Sequence, residues 1–128
     1  MAANLRAELA VVVVPTMRLE ESVRFYRDAI GLRLIEEWSD LGRGAIFEAS
    51  ATTQVELVEM ESVPDIDEPR TTLGLKITGV NEVYERIVAF GGKVKAAPRA
   101  RDWGMYGFGA FDPNGVPINI YEPTQLDE

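Results

Sequence analysis

Glu56 is the residue best placed for acid–base or charge chemistry in this chain. It sits in the strand-like run Val55-Glu56-Leu57-Val58-Glu59. A closely similar run, Ile118-Asn119-Ile120-Tyr121-Glu122, lies near the C-terminus. Neighbouring residues of a strand point to opposite faces, so Ile118 and Ile120 belong in a core while Asn119 and Tyr121 face away from it. The same alternation sends Glu56 and Val58 to the corresponding open face. A carboxylate there could act as a general base, with Asn119 or Tyr121 donating hydrogen bonds to a developing oxyanion. It could equally serve as a counter-charge for a cationic ligand, or be a solvated strand carboxylate paired with a cation such as Lys76. The chain has no histidine and no cysteine. The commonest metal ligand and acid–base group is therefore missing, and thiolate catalysis, cysteine–zinc sites and disulfides are excluded.

Aromatic residues supply a second kind of chemistry. In Trp103-Gly104-Met105-Tyr106-Gly107-Phe108-Gly109-Ala110-Phe111, Tyr106 and Phe108 share one face. Met105, Gly107, Gly109 and Phe111 share the other. Glycines beside aromatics open flat space where a planar ligand or another backbone can approach, although ordinary sheet packing produces the same pattern. Trp38 and Trp103 lie at strand ends, where each either lines a groove mouth or caps the core.

The elements that must position these residues occur twice. Val23 and Gly31 in the first half match Val83 and Gly91 in the second. Val12-Val13-Val14 and its neighbours read as a buried strand, from Leu9 to Val14. Leu19, Val23, Tyr26 and Ile30 then recur at helical spacing up to Gly31, a residue suited to a left-handed helix stop. Strands follow at 32–39, 45–49 and 53–60, giving β-α-β-β-β. In the second half Leu73, Leu75 and Ile77 alternate as a strand, which turns Thr72, Gly74 and Lys76 to the opposite side. A helix through Val80, Val83, Tyr84, Ile87 and Phe90 follows, then strands at 93–96, 104–111 and 116–122. Asp112-Pro113-Asn114-Gly115 suits a tight hairpin. The expected organisation is one α+β domain: a first module at about 8–60, a linker at 61–71 and a second module at about 72–123. The last residues, 124–128, are expected to fray.

At 128 residues the chain can build a core without disulfide or metal staples. Its net charge of −8 opposes a nucleic-acid partner and would concentrate cationic ligands, though solubility alone also accounts for it. The run at 9–14 is too short to span a bilayer, and the N-terminus shows no secretory pattern, so a cytoplasmic location is expected.

In order and spacing the chain resembles the vicinal oxygen chelate superfamily, which includes glyoxalase I, extradiol dioxygenases, fosfomycin-resistance enzymes and bleomycin-resistance proteins. The residues that carry the resemblance are Val14-Pro15, Leu19-Glu20-Glu21-Ser22, Phe25-Tyr26 and Ile30-Gly31-Leu32 in the first half. Gly91-Gly92, Trp103-Gly104, Asp112-Pro113-Asn114-Gly115 and Ile118-Asn119-Ile120 carry it in the second. The resemblance implies two tandem βαβββ modules forming an eight-stranded curved sheet around a central cavity, and assembly as a homodimer. Metalloenzymes of the superfamily place ligands at positions that fall here on Val11, Glu56, Thr72 and Asn119. Only Glu56 is a good ligand, so no metal or other cofactor is expected. The likeness to the bleomycin-resistance branch implies sequestration of an aromatic or cationic natural product, with Glu56, Asn119, Thr72, Tyr106, Phe108, Tyr121, Trp103 and Trp38 as the binding residues. The alternative is a metal-free isomerase, cyclase or lyase with Glu56 as its acid–base residue.

Overall fold

The computed structural model describes residues 6–64 and 71–124. Part of the expected linker, 65–70, and most of the expected frayed end, 125–128, lie outside them. The first module contains β1 (Ala10–Thr16), α1 (Leu19–Arg24), β2 (Arg33–Trp38), β3 (Gly44–Ser50) and β4 (Thr53–Glu59). Between α1 and β2 the helix continues in a wider π-helical form, Phe25–Ile30. The second module contains β5 (Leu73–Lys76), α2 (Val80–Phe90), β6 (Lys93–Val94), β7 (Arg99–Ala100), β8 (Met105–Phe111) and β9 (Pro117–Pro123). Gly31 and Gly91 end the two helical segments at φ 95° and 88°, the left-handed stop that a side chain would strain.

The described strands form two sheets rather than one continuous eight-stranded sheet. Their orders are β1-β4-β3-β2 and β5-β9-β8-β6, with β7 also paired to β8. In each, the opening strand runs parallel to the closing strand of its own module. The modules join through their helices instead. The Phe25 ring meets Phe90 edge-on at 5.7 Å. Arg86 donates to the carbonyls of Ala29 and Ile30, at 3.0 and 3.1 Å, and so satisfies the end of the first helical segment. The expected strand at 93–96 stops at Val94. Pro98, which lacks a backbone N–H, separates it from the extra strand β7.

Asp112–Gly115 is a longer turn than a two-residue Asn-Gly hairpin, and it docks on the first module. Asp112 is 4% exposed and accepts the Tyr26 hydroxyl proton at 2.7 Å. It also accepts from the backbone N–H groups of Asn114 and Val116, at 2.8 and 2.9 Å. The Thr16 hydroxyl donates to the Asn114 side-chain oxygen Oδ1 at 2.6 Å, while the Asn114 side-chain Nδ2 donates to the Ser22 hydroxyl at 3.1 Å. Among the described residues, each fully buried side-chain polar atom has a partner. Burial, reinforced by the Asp112 charge, holds the Tyr26 phenol well above its ordinary pKa.

Each helix covers one face of its own sheet. Val55, Leu57, Leu75, Ile118 and Ile120 are buried on those faces. The opposite faces turn away from the shared core and carry Trp38 and Glu56 in the first sheet and Asn119 and Tyr121 in the second.

Candidate functional site

The open face of the second sheet is concave, with a volume of about 340 Å³. Its lining includes Gly74, Arg101, Trp103, Met105, Gly107, Asn119 and Tyr121. Strand register explains the shape. Lys76 pairs with Tyr121, Tyr121 with Gly107, and Gly107 with Arg99, so these four form one row across β5, β9, β8 and β7. A second row runs Gly74, Asn119, Gly109. Lys95 extends it, since its N–H donates to the Gly109 carbonyl at 2.8 Å and its aliphatic stem lies over Gly109. Glycines therefore make the floor, while Tyr121 and Asn119 rise from it. Trp103 stands at the rim, 70% exposed. This arrangement can hold a planar ring between aromatic walls and offer it amide and guanidinium donors.

The lysines and arginines give this face a sign opposite to the chain's. Lys76, Lys93, Lys95, Arg99 and Arg101 all belong to the face or its rim, and none forms a salt bridge among the described residues. The described strand residues on the same face include no aspartate or glutamate; Asp102, exposed in the rim loop between Arg101 and Trp103, forms no ion pair among the described residues. Glu122 points to the other side and accepts from the N–H groups of Gly79 and Val80 at 3.1 and 2.6 Å.

Tyr106 and Phe108 do not project into the concavity with Tyr121. Phe108 pairs with Ile120 and Tyr106 with Glu122, so both point toward α2. The Phe108 ring packs edge-on against Tyr84 at 5.2 Å. The Tyr106 hydroxyl donates to Asn81 at 2.6 Å. Phe108 borders the concavity from the floor, but its ring is in the core. Alternation correctly put the two on one face; only pairing with the core residue Ile120 reveals which face. Arg101 and Met105 belong to the lining although neither was among the expected binding residues. Met105 shares a face with Gly107 by alternation, whereas Arg101 lies in an irregular turn whose direction periodicity does not give.

Glu56 and Trp38 lie on the open face of the other sheet. Glu56 is half-buried between Val13 and Ile46, and Trp38 lies over Gly44, where it fills the space a side chain would need. Val11 and Val13 on this face are 43% and 55% exposed. Glu56 is therefore not among the residues lining the second-module concavity. Among the described residues no ion pair joins it to Lys76. Thr72 is exposed just ahead of β5. Another hollow, beside Met17 and Met60, contains Arg43, which already bridges Glu20 and Glu59.

The donor set does not fit a metal at the four superfamily positions. Val11 has no donor, Thr72 and Asn119 are neutral, and Glu56 belongs to the other sheet. Among the described residues no three histidine, cysteine, aspartate or glutamate side chains cluster as a cation site would require.

Comparison with known proteins places this geometry in a class. The family model described as the Glyoxalase/Bleomycin resistance protein/Dioxygenase superfamily matches residues 8–120. The chain belongs to that superfamily, the vicinal oxygen chelate group. Among solved structures, it is similar to a genomically encoded fosfomycin resistance protein from Listeria monocytogenes, at 19% identity and TM-score 0.71, with 97% of this chain and 96% of that one covered. A lactoylglutathione lyase from Agrobacterium tumefaciens is 18% identical with TM-score 0.67, covering 93% and 96%. TioX from Micromonospora sp. ML1 is 16% identical with TM-score 0.71, covering 90% and 98%. These likenesses establish the fold. No curated protein matches the sequence. No described helix is long and apolar enough to cross a membrane.

Proposed function

We propose that the protein is a metal-independent small-molecule binder of the bleomycin-resistance type that sequesters an aromatic ligand on the second-module face. The single observation that carries this reading is the glycine floor walled by Trp103 and Tyr121, with Asn119 and Arg101 as donors. Planar π-surfaces stack over such a floor, and few convergent polar groups fix their orientation.

The same reading makes the protein a homodimer. The first-module face exposes Val11 and Val13 and carries Glu36 and Glu56. The second-module face is aromatic and cationic. A two-fold axis would lay the exposed valines of one protomer along the apolar rim of its partner's concavity, and do so twice, leaving the cations of that face open. Sedimentation equilibrium is expected to give about twice the chain mass of 14.2 kDa. A single-chain mass at micromolar concentration would contradict the dimer.

Glu56→Gln separates sequestration from catalysis. Sequestration predicts a change in ligand affinity of about fivefold or less, since one partly exposed charge contributes at most about 1 kcal/mol, and no chemical conversion by either form. Conversion by the parent that is lost in the variant, with binding retained, would instead identify Glu56 as an acid–base residue.

A further inference from the structure

We infer that the ligand of the second-module face is a planar aromatic anion, its ring held by Trp103 and Tyr121 and its acid group by Arg101 with Lys76 or Arg99. This rests on the sequestration reading above and adds the ligand's charge, which the chain's net charge of −8 would have given the opposite sign.

The row Lys76-Tyr121-Gly107-Arg99 crosses four strands with a cation at each end. Adjacent strands are about 4.8 Å apart, so the two cations flank Tyr121 and Gly107 across about 14 Å of sheet. That span accommodates a two-ring system lying on Gly107, with a side-chain cation at each end. Arg101 enters from the rim, beside Trp103. Like charges on one face repel, and no described carboxylate pairs with them. An anionic group relieves that repulsion. A carboxylate also accepts two parallel hydrogen bonds from a guanidinium, which a cationic ligand cannot do. A cation on the ring would instead be held against these positive groups. Asn119, on the neighbouring row, can donate to a ring substituent without selecting charge.

The test uses three naphthalene probes matched in shape: 2-naphthoate, 2-naphthylmethanol and 2-naphthylmethylammonium. Each is titrated calorimetrically into the full chain and into Arg101→Gln and Trp103→Ala. Both altered residues are exposed, and unchanged melting temperatures verify that their variants remain folded. Naphthoate is expected to bind about tenfold or more tightly than the alcohol, the gain of one charge-assisted pair. Arg101→Gln should remove most of naphthoate's advantage over the alcohol, weakening naphthoate severalfold more than it weakens the alcohol. Trp103→Ala should weaken both. If the alcohol or the ammonium binds as tightly as naphthoate, the anion assignment falls while aromatic sequestration stands. If no probe binds at millimolar concentration, the sequestration reading itself fails and takes this inference with it.

Discussion

Asp112→Ala is expected to destabilise the protein by about 3–4 kcal/mol, near the upper end for a single substitution. The carboxylate accepts from the buried Tyr26 hydroxyl and, in part-buried bonds, from the Asn114 side chain and two backbone N–H groups. Alanine leaves the Tyr26 hydroxyl buried without a partner and strips the turn of its acceptor. It also releases the turn that fastens the second module to Thr16, Ser22 and Tyr26 of the first. In a domain of this size the loss should lower Tm by roughly 10–15 °C. Asp112→Asn keeps one carbonyl acceptor and should recover more than half of the difference. Chemical denaturation of the three proteins checks this, with an unchanged m-value showing that the effect lies in stability.

Tyr26 adds a pH signature to the same contact. Its phenol is neutral in the folded protein beyond the pH at which an unfolded tyrosine ionises, near 10. Above that pH the unfolded state has lost a proton that the folded state keeps, so stability must fall as pH rises. The contribution is fully present below the unfolded pKa. Tyr26→Phe removes the group and should flatten the fall above pH 10, although it lowers stability at neutral pH. Equal alkaline slopes in the two proteins would contradict this account.

Gly107→Ala is the second large effect, expected at about 3 kcal/mol, the upper range for overpacking. A methyl group there would run into the carbonyl oxygen of Ile120, and would lie 2.9 Å from Cα and Cβ of Tyr121. Backbone cannot swing aside as a flexible side chain does, so β8 and β9 must separate. The floor of the concavity would also rise, and binding of a planar ligand should be lost even at temperatures where the variant remains folded. Gly115→Ala is the control. Gly115 has φ 86° and open space around it, so alanine there meets only conformational strain of about 1–2 kcal/mol. Thermal melts and calorimetric titration of both variants distinguish the steric effect from the conformational one.

Much of this architecture was legible in the residues. Periodicity located both helical segments, and Gly31 and Gly91 marked their ends because few other residues tolerate that conformation. Alternation placed Asn119 and Tyr121 on the face opposite Ile118 and Ile120, where they are found. Tyr106 and Phe108 resisted the same reasoning. Two aromatics two residues apart reveal a shared face, but only cross-strand pairing with Ile120 tells that it is the helix side. The docking of Asp112 was hidden for a related reason. Turn chemistry explains Asp-Pro-Asn-Gly without any partner, and the partners, Thr16, Ser22 and Tyr26, are about ninety residues away in sequence. The two-sheet arrangement depends on which edges pair, a choice that strand composition alone does not make. Charge was misleading at the level of the whole chain. A net charge of −8 coexists with a face whose charged strand residues are cationic, because net charge carries no information on placement.

Sequestration requires the second-module face to retain an aromatic ligand stoichiometrically. Its most direct test is equilibrium dialysis against 2-naphthoate, followed by chemical analysis of the released compound, with the parent protein and Trp103→Ala compared. The account predicts saturation near one molecule per chain, recovery of the compound unchanged, and loss of retention in the variant. Conversion of the compound, or retention indifferent to Trp103, would contradict it.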